Sequence, residues 1–385
     1  MDIRKVMSLG IGTAIICPAL FVYIHNNQPP TIDINDSSLL AKGCKKDETA
    51  LDPSLTQSVN PILRKLAEYE AVCKGTVVDE LMVFIPMPQN MSEATNLAKD
   101  TTDILKKFAA HATPPLVLFE PSITSKSQLT DIKAGHYDEI LKVYFAAIKS
   151  FGVTDKEMGT WVLFPEANTP TWRTTDPNLF VANVKKVAEL QKATFPESKV
   201  SLLLNSRSYP SDDSSWSHGE LRSLTPYVTG MPPGLVDRLG YQGFPTASEA
   251  NSAKQDKLFD AHDFLPVNLA AETAEKLGIR DVWVNTGTFS RIYANIPEEE
   301  VRISSTERYN ILHSILDQTV ALKARQLDIS VNLFAEDKSA VSEHIDWSYW
   351  QPGKASIGPD TKNFVWFTRS IRANGVRFSL YDDAK

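Results

Sequence analysis

Apolar and polar positions along this chain follow two rhythms. Short runs of strand character recur at Leu81 to Pro86, Leu116 to Phe119, Trp161 to Phe164, Val200 to Leu204, Val236 to Gly240, Val282 to Val284, Ile329 to Phe334 and Val376 to Leu380. Between them lie segments with apolar residues at helical spacing, such as Ser92 to Ala110, Tyr137 to Ser150, Asn178 to Ala193 and Thr306 to Ala324. Strand and helix thus alternate over roughly eight units about 40 residues apart, which predicts a parallel (β/α)8 barrel, the TIM barrel, a fold that commonly takes about 250 residues. An open doubly wound sheet alternates too. Its first strand usually runs into a Gly-rich phosphate turn, and Pro86-Met87-Pro88-Gln89 is not one.

The chain before the barrel reads differently. Arg4 and Lys5 precede Val6 to Ile24, nineteen residues without a charge, which suits a membrane-crossing helix of about 20 residues. Phe21 to His25 holds no small-x-small cleavage site, so an uncleaved signal anchor over residues 1–25 is expected, with the basic end in the cytoplasm and the rest outside. Cys17 as a lipoprotein acceptor is the rival reading, weakened by Ala14-Ile15-Ile16 ahead of it. Residues 26–53 are polar and read as a linker, and residues 54–385 as the barrel domain. An exported address favours a disulfide between Cys44 and Cys73, with two free thiols as the alternative.

Composition narrows the function. The formal charge of −7 leaves no basic surplus for phosphates, so a nucleic-acid partner is not expected. Three cysteines without a CxxC pair, and histidines with no i, i+4 pair, give no metal site and no cofactor. Ser206 and Ser208 lack a nucleophile elbow. Glu298-Glu299-Glu300 reads as a solvated helix start.

Barrel enzymes place reactive groups at the C-terminal ends of strands. The third apolar run ends in Phe164-Pro165-Glu166-Ala167-Asn168, with Trp172 beyond. A carboxylic acid held beside apolar groups can donate a proton to a leaving oxygen. Asn168 would then hold a sugar hydroxyl and Trp172 would stack on a sugar ring. The alternative is that Glu166 caps the helix starting near Asp176 or is a solvated loop residue. Tyr241 and Gln242 end another strand and are candidate substrate contacts. Of the seven Trp, Trp172, Trp216, Trp347 and Trp350 fall outside the apolar runs, as stacking floors or as a packed satellite cluster.

These residues resemble the retaining glycoside hydrolases built on this barrel, most nearly the mannanase-like enzymes of family 26. In that family a His-Glu-Met-Asn-Gly motif and a Trp end the fourth strand, with the Glu as acid/base. Glu166, Asn168 and Trp172 match it, whereas Pro165 stands in place of His. Leu118-Phe119-Glu120-Pro121 is similar to the family's Trp-Glu-Pro strand end, Val236 to Gly243 to its sixth strand, and Asn332-Leu333-Phe334 precedes Trp347-Ser348-Tyr349-Trp350. The likeness spans about residues 80 to 350.

One departure bears on chemistry. Three strands after the acid such enzymes present a nucleophilic Glu, whereas this chain has Trp283-Val284-Asn285-Thr286-Gly287. Retaining hydrolysis needs two carboxyl groups about 5–5.5 Å apart. Glu336 would supply the second, or Glu120 or the Asp212-Asp213 loop would activate water in an inverting reaction. Asn285 would otherwise orient a substrate amide. The resemblance therefore implies an extracytoplasmic glycoside hydrolase-like protein, tethered to the membrane and acting on a polysaccharide or oligosaccharide. The alternative is a carbohydrate-binding descendant without turnover.

Overall fold

The structure is a computed structural model that describes residues 79–110, 115–121, 126–168, 176–205, 224–244, 265, 267–288, 291–293, 300–334, 337–338, 345–346, 349 and 359–381. The expected anchor, the linker, Cys44, Cys73, Trp172, Asp212, Asp213, Trp216, Glu336, Trp347 and Trp350 lie outside these residues. No helix among the described residues is long and apolar enough to cross a membrane.

Eight parallel strands close into a barrel: β1 (Glu80–Pro86), β2 (Pro115–Glu120), β3 (Thr160–Leu163), β4 (Lys199–Asn205), β5 (Arg238–Gln242), β6 (Asp281–Thr286), β9 (Asp328–Phe334) and β12 (Arg377–Tyr381). Closure is made by β1 against β12, with Glu80 opposite Ser379. Helices pack outside: α1 (Met91–Ala110), α2 (Lys126–Ala134), α3 (Asp138–Ser150), α4 (Asp155–Met158), α5 (Pro177–Thr194), α6 (Val267–Leu277), α7 (Ser305–Ala324) and α8 (Pro359–Ala373). The short strands β7 (Arg291–Tyr293), β8 (Glu300–Arg302), β10 (Asp337–Lys338) and β11 (Ile345–Asp346) form a separate antiparallel sheet. They come from the connections that leave the C-terminal ends of β6 and β9.

Two local expectations change. Glu300 belongs to strand β8, and α7 starts later, where Ser304 and Glu307 form a reciprocal capping box. Asp176 itself caps α5, accepting from Asn178 N at 2.9 Å ahead of Pro177, so Glu166 is not that helix's cap.

Side chains alternate between the inside and the outside of each strand. Outside, Phe119, Tyr144, Phe145 and Trp161 pack as one cluster, with Phe119 and Trp161 ring centres 5.0 Å apart. Inside, the filling is layered, as expected for this barrel. At the N-terminal end Arg238 donates to both Glu80 oxygens (2.9 and 3.1 Å) and to Ser330 Oγ (3.0 Å). Its Nε lies 3.0 Å from Asp281. Above them sits an apolar layer of Met82, Leu116, Leu118, Val162, Leu203 and Trp283. The C-terminal layer is polar and forms the site.

Candidate active site

Four adjacent strands carry carboxamides at or near their C-terminal ends, at positions that are directly opposite one another. Asn205 pairs with Gln242, Gln242 with Asn285, and Asn285 with Asn332 in the strand register. All four are buried. Their side chains form one connected row: Asn332 Nδ2 donates to Asn285 Oδ1 (2.6 Å), Asn285 Nδ2 donates to Gln242 Oε1 (2.6 Å), and Gln242 Nε2 donates to Asn205 Oδ1 (2.9 Å). Gln242 Nε2 also donates to Glu166 Oε1. An ionised carboxylate only accepts, so the Gln242 atom facing it is the nitrogen, and that choice sets the polarity of every amide behind it.

Glu166 is the partly exposed end of this row. It follows β3 in a tight excursion in which both Phe164 (φ 52°) and Glu166 (φ 58°) adopt the left-handed region. A non-glycine residue there stores strain that the surroundings must offset. Glu166 N donates to Leu203 O (2.8 Å), which holds the excursion against β4. Asn168 completes the hold, its Nδ2 donating to Asn205 O (2.7 Å) and its Oδ1 accepting from Asn205 N (2.8 Å). The Asn168 amide thus continues the β3–β4 ladder beyond the strand end.

The other sequence candidates are distributed differently. Asn285 is a link with both of its amide ends engaged in the row. Glu120 ends β2 and is buried. Tyr241 is fully buried on the face of β5 opposite Gln242, which takes it away from the barrel mouth and corrects its reading as a substrate contact. Tyr349, from the Trp-Ser-Tyr-Trp segment, is also buried: its hydroxyl meets Thr288 N (3.0 Å) and Oγ1 (2.8 Å), and Arg308 lies 4.1 Å above its ring centre. Burial pushes the Tyr349 hydroxyl pKa above its ordinary value.

Sequence reading passed over Asn205, Asn332 and Phe84 as site residues. A signal for the first two existed: an amide at or near the end of consecutive apolar runs. Phe84 follows Met82 on the same strand face, yet it is 37% exposed, an aromatic surface left open near the C-terminal end of β1. Among the described residues no group of His, Cys, Asp and Glu gathers to hold a metal.

Closure of the barrel also fixes the strand count. With Glu80–Pro86 first, the strands ending at Glu120, before Glu166 and at Gln242 are the second, third and fifth. In the family that these segments resemble, the matching motifs end the fourth and sixth strands, whereas here they end the third and fifth. The fourth strand ends at Asn205. Asn285 is the penultimate residue of the sixth, and the seventh, β9, is the one followed by Glu336 in sequence.

No protein-family model matches the chain. No curated protein matches it in sequence either. Solved structures do match in fold, glycoside hydrolases among them. A fungal β-1,4-galactanase superposes with a TM-score of 0.51 at 11% identity, covering 79% of this chain and 89% of the galactanase. A family 1 β-glucosidase from Thermotoga maritima superposes with a TM-score of 0.51 at 12% identity, covering 77% of this chain and 83% of the enzyme. At such identities the likeness establishes the barrel fold and leaves chemistry to the site's own residues.

Proposed function

We propose that this protein is a glycoside hydrolase-like barrel that takes a polysaccharide or oligosaccharide at the C-terminal mouth, with Glu166 as general acid/base. The observation that carries the reading is the placement of Glu166: a partly exposed carboxyl, held in a left-handed backbone conformation and fixed at one oxygen by Gln242. Strain of this kind concentrates at working sites. Because Oε1 already accepts from Gln242, the proton to be delivered belongs on Oε2. The galactanase and β-glucosidase neighbours act on saccharides, which supports the substrate class. Glu336, in the chain that follows β9, and Glu120 are the candidates for the second carboxyl that hydrolysis requires. Phe84 offers a stacking surface for a sugar ring.

The same reading places residues 1–25 in a membrane as an uncleaved anchor and the barrel outside the cytoplasm. Cys44 and Cys73 would form a disulfide there.

The test is hydrolysis by the full-length chain of a panel of galactans, mannans and β-glucans. Activity on one of them should fall by about 10²-fold or more in Glu166→Gln, and Phe84→Ala should weaken binding of the same glycan. Unchanged turnover in Glu166→Gln would remove the assignment.

A second reading is a carbohydrate-binding protein without turnover. It is favoured by the row of amides that occupies the ends of β4, β5 and β6, where no carboxylate stands. It predicts glycan binding sensitive to Phe84→Ala with no hydrolysis at any pH.

A further inference from the structure

Asn332, Asn285 and Gln242 form a row in which every amide-to-amide hydrogen bond up to Gln242 is donated in the same direction. Asn332 donates to Asn285 and Asn285 to Gln242, which donates in turn to Glu166 and to Asn205; Asn285 and Gln242 each accept on their oxygen from the amide behind. Aligned hydrogen bonds in a low-dielectric interior polarise one another, so each donor in the row strengthens the next. The row starts at Asn332 Oδ1, a buried acceptor that no described donor reaches, and ends on a carboxylate. Nothing in strand pairing demands this order, since the backbone ladder is complete without it.

We propose that Asn332 and Asn285 are positioning residues that act on Glu166 through Gln242, and that this relay sets the pH at which the Glu166 carboxyl exchanges its proton. A hydrogen bond donated to a carboxylate favours its charged form. The relay therefore makes protonated Glu166 a stronger acid and keeps its proton on Oε2. The inference deepens the preceding reading, and rests on it only for the consequence in catalysis.

Glu120 ends the neighbouring strand β2 and is the one described carboxyl at that end of the adjacent strands. The inward positions of β4, β5, β6 and β9 at this level are the amides themselves. Arg238, Glu80 and Asp281 lie at the opposite end of the barrel, beyond the layer that contains Trp283.

The experiment is a pH titration of the full-length chain carrying ¹³C-carboxyl glutamate, with Glu166→Gln to assign the resonance. Gln242→Leu should raise the Glu166 midpoint by about one pH unit, the value of one charge-assisted hydrogen bond. Asn285→Leu and Asn332→Leu should raise it by less, in that order. In the unsubstituted protein the side-chain amide resonances of Asn285 and Asn332 should move with the Glu166 midpoint, a readout that needs no variant to fold. If those resonances stay still through that midpoint, or if Asn285→Leu and Asn332→Leu titrate like the parent, the relay is refuted and Gln242 is a local contact only. Co-titration in a protein that cleaves no glycan would refute the proposed enzyme and leave the relay standing.

Discussion

Gly240 and Trp283 share one volume at the centre of the barrel. A Cβ added at residue 240 would run into the Trp283 indole ring, which fills the apolar layer and donates from Nε1 to Ser201 Oγ at 2.8 Å. The two residues face each other in the register of β5 and β6. This pairing forms the floor beneath the amide row. Gly240→Ala should therefore destabilise the fold by about 1–3 kcal/mol, the usual cost of forcing a methyl group into a packed core. Urea unfolding followed by tryptophan fluorescence would measure it. A variant as stable as the parent would show that the indole moves aside freely.

Backbone conformation at Glu166 yields a prediction that separates strain from side-chain chemistry. Both Glu166→Ala and Glu166→Gly lose the hydrogen bond from Gln242, but alanine keeps a Cβ at φ 58°. A Cβ in the left-handed region costs about 1–2 kcal/mol. Glu166→Gly should accordingly be about 1 kcal/mol more stable than Glu166→Ala, after allowance for the greater freedom of glycine in the unfolded chain. Equal stabilities would mean that the backbone relaxes out of this conformation once the carboxyl is gone.

Arg238 at the other end of the barrel is 1% exposed and serves two carboxylates, Glu80 and Asp281. Burial works against its charge, but the two carboxylates outweigh it and hold the guanidinium pKa above its ordinary value. Removing the cation would leave both acids to Arg377 alone, a more exposed guanidinium 3.4 Å from Glu80 and 2.7 Å from Asp281. Arg238→Met should cost about 3–5 kcal/mol, whereas Arg238→Met combined with Glu80→Gln should recover part of that loss. Denaturant midpoints of the two variants decide the matter, and a double variant less stable than the single one would contradict it.

Most of the barrel could be read from the chain because its strands are buried on both faces and stand out as short apolar runs. Leu81 to Pro86 and Ile329 to Phe334 each fall within a single strand. Val236 to Gly240 was placed two residues early, because Val236 is apolar and buried before pairing begins at Arg238. The site was less legible. Glu166 and Gln242 stand out in sequence as polar residues closing apolar runs, but their contact joins positions separated by an intervening strand. Asn285 stands out in sequence as an amide where the resemblance implies a carboxylate, whereas in the structure it bonds the amides of Gln242 and Asn332. That relationship exists only in the strand register, which alternation along a single strand does not reveal.

On α7, His313 and Asp317 are one helical turn apart, with Nδ1 and Oδ2 at 3.1 Å, and the imidazole stacks on Trp366 at 5.8 Å between ring centres. The hydrogen bond to Asp317 raises the His313 pKa above its ordinary 6.5, with partial burial opposing it. A histidine whose folded value is raised contributes stability that is fully present below its unfolded value near pH 6.5 and disappears as pH climbs through the folded value. The pair is over a third exposed on the histidine side, so solvent screening limits it to about 0.3–1 kcal/mol. Asp317→Asn removes the cause of the shift. The stability gap between the parent and Asp317→Asn should thus be wider at pH 5.5 than at pH 8.5, measured by chemical denaturation at both values. A gap that is constant, or that widens toward high pH, would show that the imidazole stays neutral and that Trp366 packing, not the ion pair, secures this face of the helix.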